Sequence, residues 1–186
     1  MVNDQQLAEA VLQQYRAALE RLESAVRLCP PTVWNVRSPL EAPFWQQAMH
    51  ALFYAHLYLC ESDGMPEAIG NAEKAMEQLG DPMQGWAQGE VARLGQTLGD
   101  LPVPTSTPKR VVPQDEMIER AQQALRLSEK AAARLSEGKA MSRNPMSWLS
   151  GTALDLLLYN LRHIEYHLGQ LGSYLTRHAD QHLEWR

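Results

Sequence analysis

Apolar residues recur three and four positions apart over four long segments of this chain, and this spacing limits the fold class more than any other feature. The first segment runs from about Asp4 to Leu28, and its apolar positions are Leu7, Val11, Tyr15, Leu19, Leu22 and Val26. This pattern predicts an amphipathic α-helix. We expect Asp4 to be its N-cap. Pro30 and Pro31 end the helix, because proline cannot continue the hydrogen-bond ladder.

The second segment begins near Pro43, ends near Cys60 and is apolar on nearly every side. A helix of this kind is buried all round, so we expect it to be the most buried of the four. A polar strip on such a helix is therefore informative, and it lies on the face shared by Gln46, Gln47, His50, Tyr54 and Leu57. His56 lies about 120° from His50 by helical geometry, so the two cannot easily serve one site, and we expect His56 to be structural or partly exposed.

The third segment runs from about Gln114 to Glu137 and the fourth from about Thr152 to Arg177. Alternating spacings predict a packing seam on the third helix at Ile118, Ala121, Leu125, Ser128, Ala132 and Leu135. Its small residues indicate close approach to a neighbouring helix. Gly138 is a suitable C-terminal stop.

These segments predict an all-α fold, a four-helix bundle in a single domain over residues 1–186. An irregular insert with some helical character, at about 62–113, separates helices 2 and 3 and ends in a proline-rich stretch. We interpret it as a long crossover, and a crossover of this length allows helices 2 and 3 to run parallel. No strand pattern competes with this interpretation.

Charge and cysteine content exclude several classes of function. The net charge is -5, from 17 basic and 22 acidic residues without a basic run, which argues against nucleic acid or an anionic membrane as a partner. The first residues are polar, and no apolar run approaches the ~18 residues of a membrane span. The only cysteines are Cys29 and Cys60. This usage fits a reducing compartment, so we expect a cytoplasmic protein.

His163 and His167 are the most informative pair in the fourth helix. Four residues apart, they stack one turn above the other on a face shared with Leu156, Asn160, Gln170 and Tyr174. This face continues an inward stripe, so both imidazoles are expected to be buried and to need partners. Two explanations remain open at this point: two core histidines bonded to their neighbours, or two ligands of one metal ion.

The bundle brings a third imidazole to the same cavity, because His50 is in the middle of helix 2 while His163 and His167 are in the middle of helix 4. Three neutral imidazoles can hold one divalent metal and leave a position open for water or substrate. A zincin is excluded, since Ile164 stands where that motif requires glutamate. A di-iron bundle requires Glu-x-x-His pairs, and none is suitably placed. His178 and His182 lie beyond the apolar stripe among polar residues, which argues against a metal role.

Tyr54 and Asn160 are the candidate catalytic residues beside these histidines. Tyr54, one turn from His50, would donate a hydrogen bond to a metal-bound group, and Asn160, one turn before His163, would orient substrate. Core packing with one satisfied hydrogen bond explains either residue equally well. Glu165 lies about 200° from His163 on the helix, so we expect it outside the site.

Two motifs give the chain a family resemblance. One is Pro43-Phe44-Trp45 followed by Ala48-Met49-His50-Ala51-Leu52-Phe53, and the other is the run of residues 156–171, which ends in His-x-x-x-His-x-Gly-Gln. With the helix order and the long crossover, the chain resembles the DinB/YfiT-like superfamily of metal-dependent four-helix-bundle proteins. The resemblance implies one metal ligand from helix 2 and two from the last helix, namely His50, His163 and His167.

The resemblance also implies a class of activity. Characterised members include S-transferases and isomerases that use low-molecular-weight thiols such as bacillithiol or mycothiol. We therefore expect a divalent metal, zinc or nickel first and iron next, with a small-molecule substrate and a low-molecular-weight thiol. The alternative is a non-catalytic metal-binding or self-associating module, such as a homodimer. Its candidate contact residues are Met117, Leu127 and Trp148.

Overall fold

The computed structural model describes residues 3–36, 41–59, 111–144 and 150–185, and the structural statements below concern these ranges. The insert predicted at 62–113 lies outside them apart from residues 111–113. Cys60 and Trp148 also lie outside them.

Four α-helices make up most of the described chain, and no strand occurs in these ranges. They are α1 (Asp4–Leu28), α2 (Phe44–Leu59), α3 (Gln114–Arg134) and α4 (Ala153–Ala179). The all-α prediction is confirmed, with helix ends within a few residues of those expected. A wider turn over Leu135–Lys139 continues α3, and Gly138 in this turn has a φ of 78°. That left-handed conformation favours glycine, which explains the stop at this position.

The start of α1 corrects one prediction. Asn3, not Asp4, is the N-cap: its side chain accepts a hydrogen bond from the Gln6 backbone N–H at 2.8 Å, and the Gln6 side chain accepts from the Asn3 N–H at 3.2 Å. This reciprocal capping box satisfies two helix-end donors. Asp4 takes the first helical position, where its negative charge interacts favourably with the helix dipole.

Hydrogen bonds between helices give their directions. Gln114, at the start of α3, donates to the carbonyls of Val26 and Cys29 at the end of α1, at 2.6 and 3.1 Å. Arg16 of α1 pairs with Glu129 near the other end of α3. α1 and α3 are therefore antiparallel.

α4 runs parallel to α1 and antiparallel to α2. Tyr15 bonds to Leu157, and further along both helices Arg21 pairs with Glu165. In α2 the order is reversed, since the carbonyl of Ala55 receives a bond from Asn160 while the three histidines meet nearer the start of α2. α2 and α3 consequently run parallel, which confirms the expectation from the long connection.

α2 is the most buried helix, as its composition predicts, with Phe44 and Trp45 fully enclosed. Trp34, in the connection between α1 and α2, packs against Phe44 at a ring distance of 5.5 Å and donates to the Val112 carbonyl at 2.9 Å. No helix in the described ranges has both the length and the apolarity required to cross a membrane.

The packing face of α3 agrees in part with the predicted seam. Four of the six predicted positions are buried, namely Ala121, Ser128, Ala132 and Leu135. Ile118 and Leu125 are only partly buried against the core, and the face extends instead to the buried Met117, Ala124 and Ala131. α3 lies between α1 and α2, so the small alanines take the line of closest approach and the larger side chains pack at its edges. Met117 is fully buried and Leu127 packs against the core. Met117 is therefore not available for self-association, whereas Leu127 is partly exposed, and self-association stays a prediction.

Candidate metal centre

Three histidine side chains from two helices converge on one point. The Nε2 atom of His163 lies 3.2 Å from Nε2 of His50 and 3.1 Å from Nε2 of His167. With one ring nitrogen taken from each histidine, all three nitrogens lie within 4.8 Å of one another. The described residues contain no other group of three or more histidine, cysteine or acidic residues placed to hold a metal ion.

The two antiparallel helices α2 and α4 create this arrangement. His163 and His167 are one turn apart on the inward face of α4, and His50 faces them from the first half of α2. His167 is buried, with 2% of its surface exposed, whereas His50 and His163 keep partial exposure. His167 is therefore the most enclosed of the three, and the exposed surface belongs to His50 and His163.

Burial keeps the imidazoles neutral. Burial, and to a lesser extent the neighbouring histidines, lower the pKa of His50 to about 2 and that of His163 to about 4. Burial also lowers the pKa of His167, against a smaller opposing effect of its hydrogen bond to Gln170. Neutral imidazoles carry the lone pairs that metal ligation requires.

The nitrogen positions fit a metal ion better than a hydrogen-bonded cluster. Nε2 of His163 has either one proton or one lone pair, so it cannot make two good hydrogen bonds with its two neighbours. Metal–nitrogen bonds of about 2.0–2.1 Å place two ligands of a tetrahedral site roughly 3.3 Å apart, close to the observed spacings. A cation bound to all three lone pairs would resolve this conflict.

Gln170 is a polar neighbour to which the sequence analysis assigned no role. Its Oε1 atom lies 2.7 Å from Nδ1 of His167, on the side of the ring away from the cluster. The spacing of three residues along α4 places the two side chains together. A glutamine three residues after a candidate metal ligand was the sequence signal that could have indicated this contact. His163 differs, because its buried Nδ1 has no hydrogen-bond partner among the described residues.

Tyr54 lies against the histidines, as its spacing from His50 predicts. The centre of its ring is 4.7 Å from that of His50 and 5.3 Å from that of His163. A row of aromatic rings continues away from the cluster. The ring centre of Tyr58 lies 5.6 Å from that of Tyr54 and 5.7 Å from that of Tyr159. An aromatic wall therefore borders the site on this side.

Asn160 is placed deeper than Tyr54. It is fully buried, and its Nδ2 donates to the Ala55 carbonyl of α2 at 3.3 Å. Its side chain also opposes the raising of the Tyr15 pKa by burial. Asn160 thus connects α4 with α2, and its role in orienting substrate stays a prediction.

The remaining histidines and Glu165 lie away from the cluster. His56 is partly exposed and contacts the Arg120 carbonyl of α3 through Nε2 at 2.8 Å, as expected of a residue that is structural or partly exposed. Glu165 pairs with Arg21 of α1 at 2.9 Å. His178 pairs with Glu41 at 2.9 Å. These contacts occupy the side chains in helix packing or surface ion pairs, as their positions on the helices predict.

Comparison with protein families gives a match over most of the chain. The family model of the DinB superfamily matches residues 14–171, a range that contains all three clustered histidines. Comparison with curated proteins and with solved structures gives no match.

Proposed function

Because the chain belongs to the DinB superfamily, we propose that it is a metal-dependent enzyme whose ion is held by His50, His163 and His167. The observation that carries this proposal is the approach of the Nε2 atoms of three neutral imidazoles. Nε2 of His163 lies within 3.2 Å of Nε2 of both other histidines. Three protein ligands leave at least one coordination position for water or substrate, as in catalytic sites. The partial exposure of His50 and His163 supports access to that position.

Imidazole ligands suit a borderline divalent metal, and zinc or nickel is our first choice, with iron next. Such an ion, when bound, lowers the pKa of a bound water or thiol and polarises an electrophile. The protein holds the three imidazoles neutral by burial. It also sets the Tyr54 ring beside two of them, where its hydroxyl would donate a hydrogen bond to the reacting group.

We propose thiol S-transfer as the reaction class, with a low-molecular-weight thiol and a small electrophilic substrate. A reducing cytoplasm, inferred from the cysteine usage, would keep such a thiol available. The row of tyrosines next to the site would contact an apolar part of the substrate. Support for this reaction class comes from the cluster of three histidines together with the family resemblance.

Metal content is the first test. The purified chain should contain nearly one equivalent of metal by mass spectrometry. Both His50→Ala and His163→Ala should abolish this content, because each removes one of three ligands. His182→Ala is the matched control, since this exposed histidine lies outside the cluster. A parent chain that binds no metal, even after reloading with zinc or nickel, would overturn the proposal.

Activity is the second part of this test. Thiol-transfer assays with low-molecular-weight thiols should detect turnover in the loaded parent and none in His163→Ala. Tyr54→Phe should keep its metal while kcat falls by about a hundredfold, the effect of removing one donor to developing charge. Equal turnover in the parent and His163→Ala would reject the enzymatic role. Large loss of melting temperature on chelation, with no water-accessible metal position, would instead favour a structural metal.

A further inference from the structure

The contact between Gln170 and His167 determines which nitrogen of His167 carries the proton. Oε1 of Gln170 is an amide oxygen and can only accept a hydrogen bond. At 2.7 Å from Nδ1 of His167, it requires that nitrogen to donate. In a neutral imidazole with Nδ1 protonated, Nε2 carries the lone pair.

The lone pair of His167 therefore faces the cluster. Nε2 of His167 is the atom that lies 3.1 Å from Nε2 of His163. Without the Gln170 contact, the neutral ring could move its proton to Nε2 and donate to His163, and this tautomer cannot ligate a metal through Nε2. The described structure provides no comparable contact at Nδ1 of His163. Of the two ligands on α4, His167 is the one whose tautomer is fixed by a side-chain bond.

We propose that Gln170 is a positioning residue that keeps His167 in the tautomer with Nδ1 protonated and Nε2 directed at the metal position. The consequence for metal affinity rests on the proposed function, whereas the tautomer is a property of the metal-free chain. Residues that orient a metal ligand in this way typically change affinity by about 10- to 100-fold when removed. Gln170→Leu should therefore bind zinc about 10- to 100-fold more weakly than the parent.

Gln170→Glu is the conservative partner of this variant. Its carboxylate keeps an acceptor at the same distance along the side chain, so it should retain Nδ1 protonation and zinc affinity close to that of the parent. Gln123→Leu makes the same chemical change at an exposed position of α3 and is the matched control. Far-ultraviolet circular dichroism of each variant checks that the fold is retained.

Two measurements test the proposal. Long-range proton–nitrogen NMR on the metal-free chain at neutral pH reports which His167 nitrogen is protonated, with the signals assigned by their loss in His167→Gln. Zinc affinity is measured in parallel by competition with a chromophoric chelator. We expect Nδ1 protonation in the parent and in Gln170→Glu, and its loss in Gln170→Leu together with the weaker zinc binding.

The outcomes separate this proposal from the proposed function. A parent chain with the proton on Nε2, or a Gln170→Leu variant with an unchanged tautomer and unchanged zinc affinity, would overturn the role of Gln170 while leaving the metal site intact. A folded Gln170→Glu variant that binds as weakly as Gln170→Leu would also overturn it. A parent that binds neither zinc nor nickel would reject the proposed function, and the NMR result would then decide the role of Gln170 independently.

Discussion

The Tyr15 hydroxyl connects α1 to α4 less than two turns before His163, the first histidine of the cluster on α4. It donates to the Leu157 carbonyl at 2.8 Å inside the core, and burial raises its pKa well above the usual value. Tyr15 is therefore a neutral hydrogen-bond donor at any pH of interest. Asn160 lies beside it and bonds to α2. Together these side chains fix the position of α4 relative to both neighbours, and hence the positions of its histidines.

Tyr15→Phe removes this hydroxyl while keeping the ring that fills the core. We expect a loss of about 1 kcal/mol in the free energy of unfolding, the usual net value of one buried hydrogen bond. Urea denaturation of the metal-free chain measures it. Tyr166→Phe, at a position of α4 that is 55% exposed, is the control and should have no measurable effect. A Tyr15→Phe chain as stable as the parent would show that the contact contributes nothing net.

The start of α4 depends on a capping box. The Thr152 side chain accepts from the Asp155 backbone N–H, and the Asp155 carboxylate accepts from the Thr152 N–H at 2.7 Å. The Thr152 N–H and the Thr152 hydroxyl both donate to the Asp155 carboxylate and lower its pKa. Thr152→Ala should destabilise the chain by about 1 kcal/mol, a typical cost of losing an N-cap. The histidines lie more than two turns further along α4, so zinc affinity should stay unchanged.

Urea midpoints and chelator competition on the same Thr152→Ala preparation check these two expectations together. Ser173→Ala, an exposed serine within α4, is the control for changing a hydroxyl residue to alanine in this helix. Unfolding midpoints of Thr152→Ala equal to those of the parent would show that the helix start is held by its packing. Lower zinc affinity in Thr152→Ala would show instead that the end of α4 and the cluster are coupled.

Helix positions could be predicted from the sequence because apolar spacing and capping residues act within a few residues of each other. The pairing of His50 with His163 could not be derived in this way, since it depends on which helices are neighbours and at what height they meet. The sequence supplied a bundle and a family resemblance, and the antiparallel packing of α2 and α4 supplied the contact.

The α3 seam shows a different limit. Spacings of three and four are compatible with two adjacent lines on one helix, and Ile118 with Leu125 defines one of them while Met117 with Ala124 defines the other. The choice depends on the closeness of α1 and α2, which local sequence does not encode. Gln170 was missed for a related reason. A glutamine is chemically versatile, and only its measured distance to Nδ1 of His167 gives it a specific role.

The bundle as a whole encloses several neutral histidines, and this burial gives its stability a defined pH dependence. The pKa is lowered to about 2 for His50 and about 4 for His163, and it is lowered for His167 and His56 as well. In the unfolded chain a histidine titrates near 6.5. The unfolded state therefore binds more protons than the folded state below that pH, and linkage requires stability to fall as the pH falls.

We expect the metal-free chain to have full stability above about pH 7 and to lose stability progressively from pH 6.5 down towards pH 4, where His163 titrates in the folded state. His50 extends the loss of stability to lower pH. By pH 5 the loss should be on the order of 1–2 kcal/mol for each of His50 and His163, and His167 adds to the loss in the same direction. Urea unfolding midpoints at several pH values measure it. Bound metal should add stability at neutral pH that also disappears on acidification, because protons and metal compete for the same lone pairs.

A chain with His50, His163 and His167 all replaced by glutamine separates the cluster from other titrating groups. Its stability should depend less steeply on pH between 6.5 and 4, with His56 and the carboxylates left to titrate. Chelator should have no effect on it, whereas chelator should lower the midpoint of the loaded parent. The two effects have one origin, since burial that removes protons from these imidazoles also leaves their lone pairs for a metal. A triple variant with the same pH dependence as the parent would place the responsible groups elsewhere in the bundle.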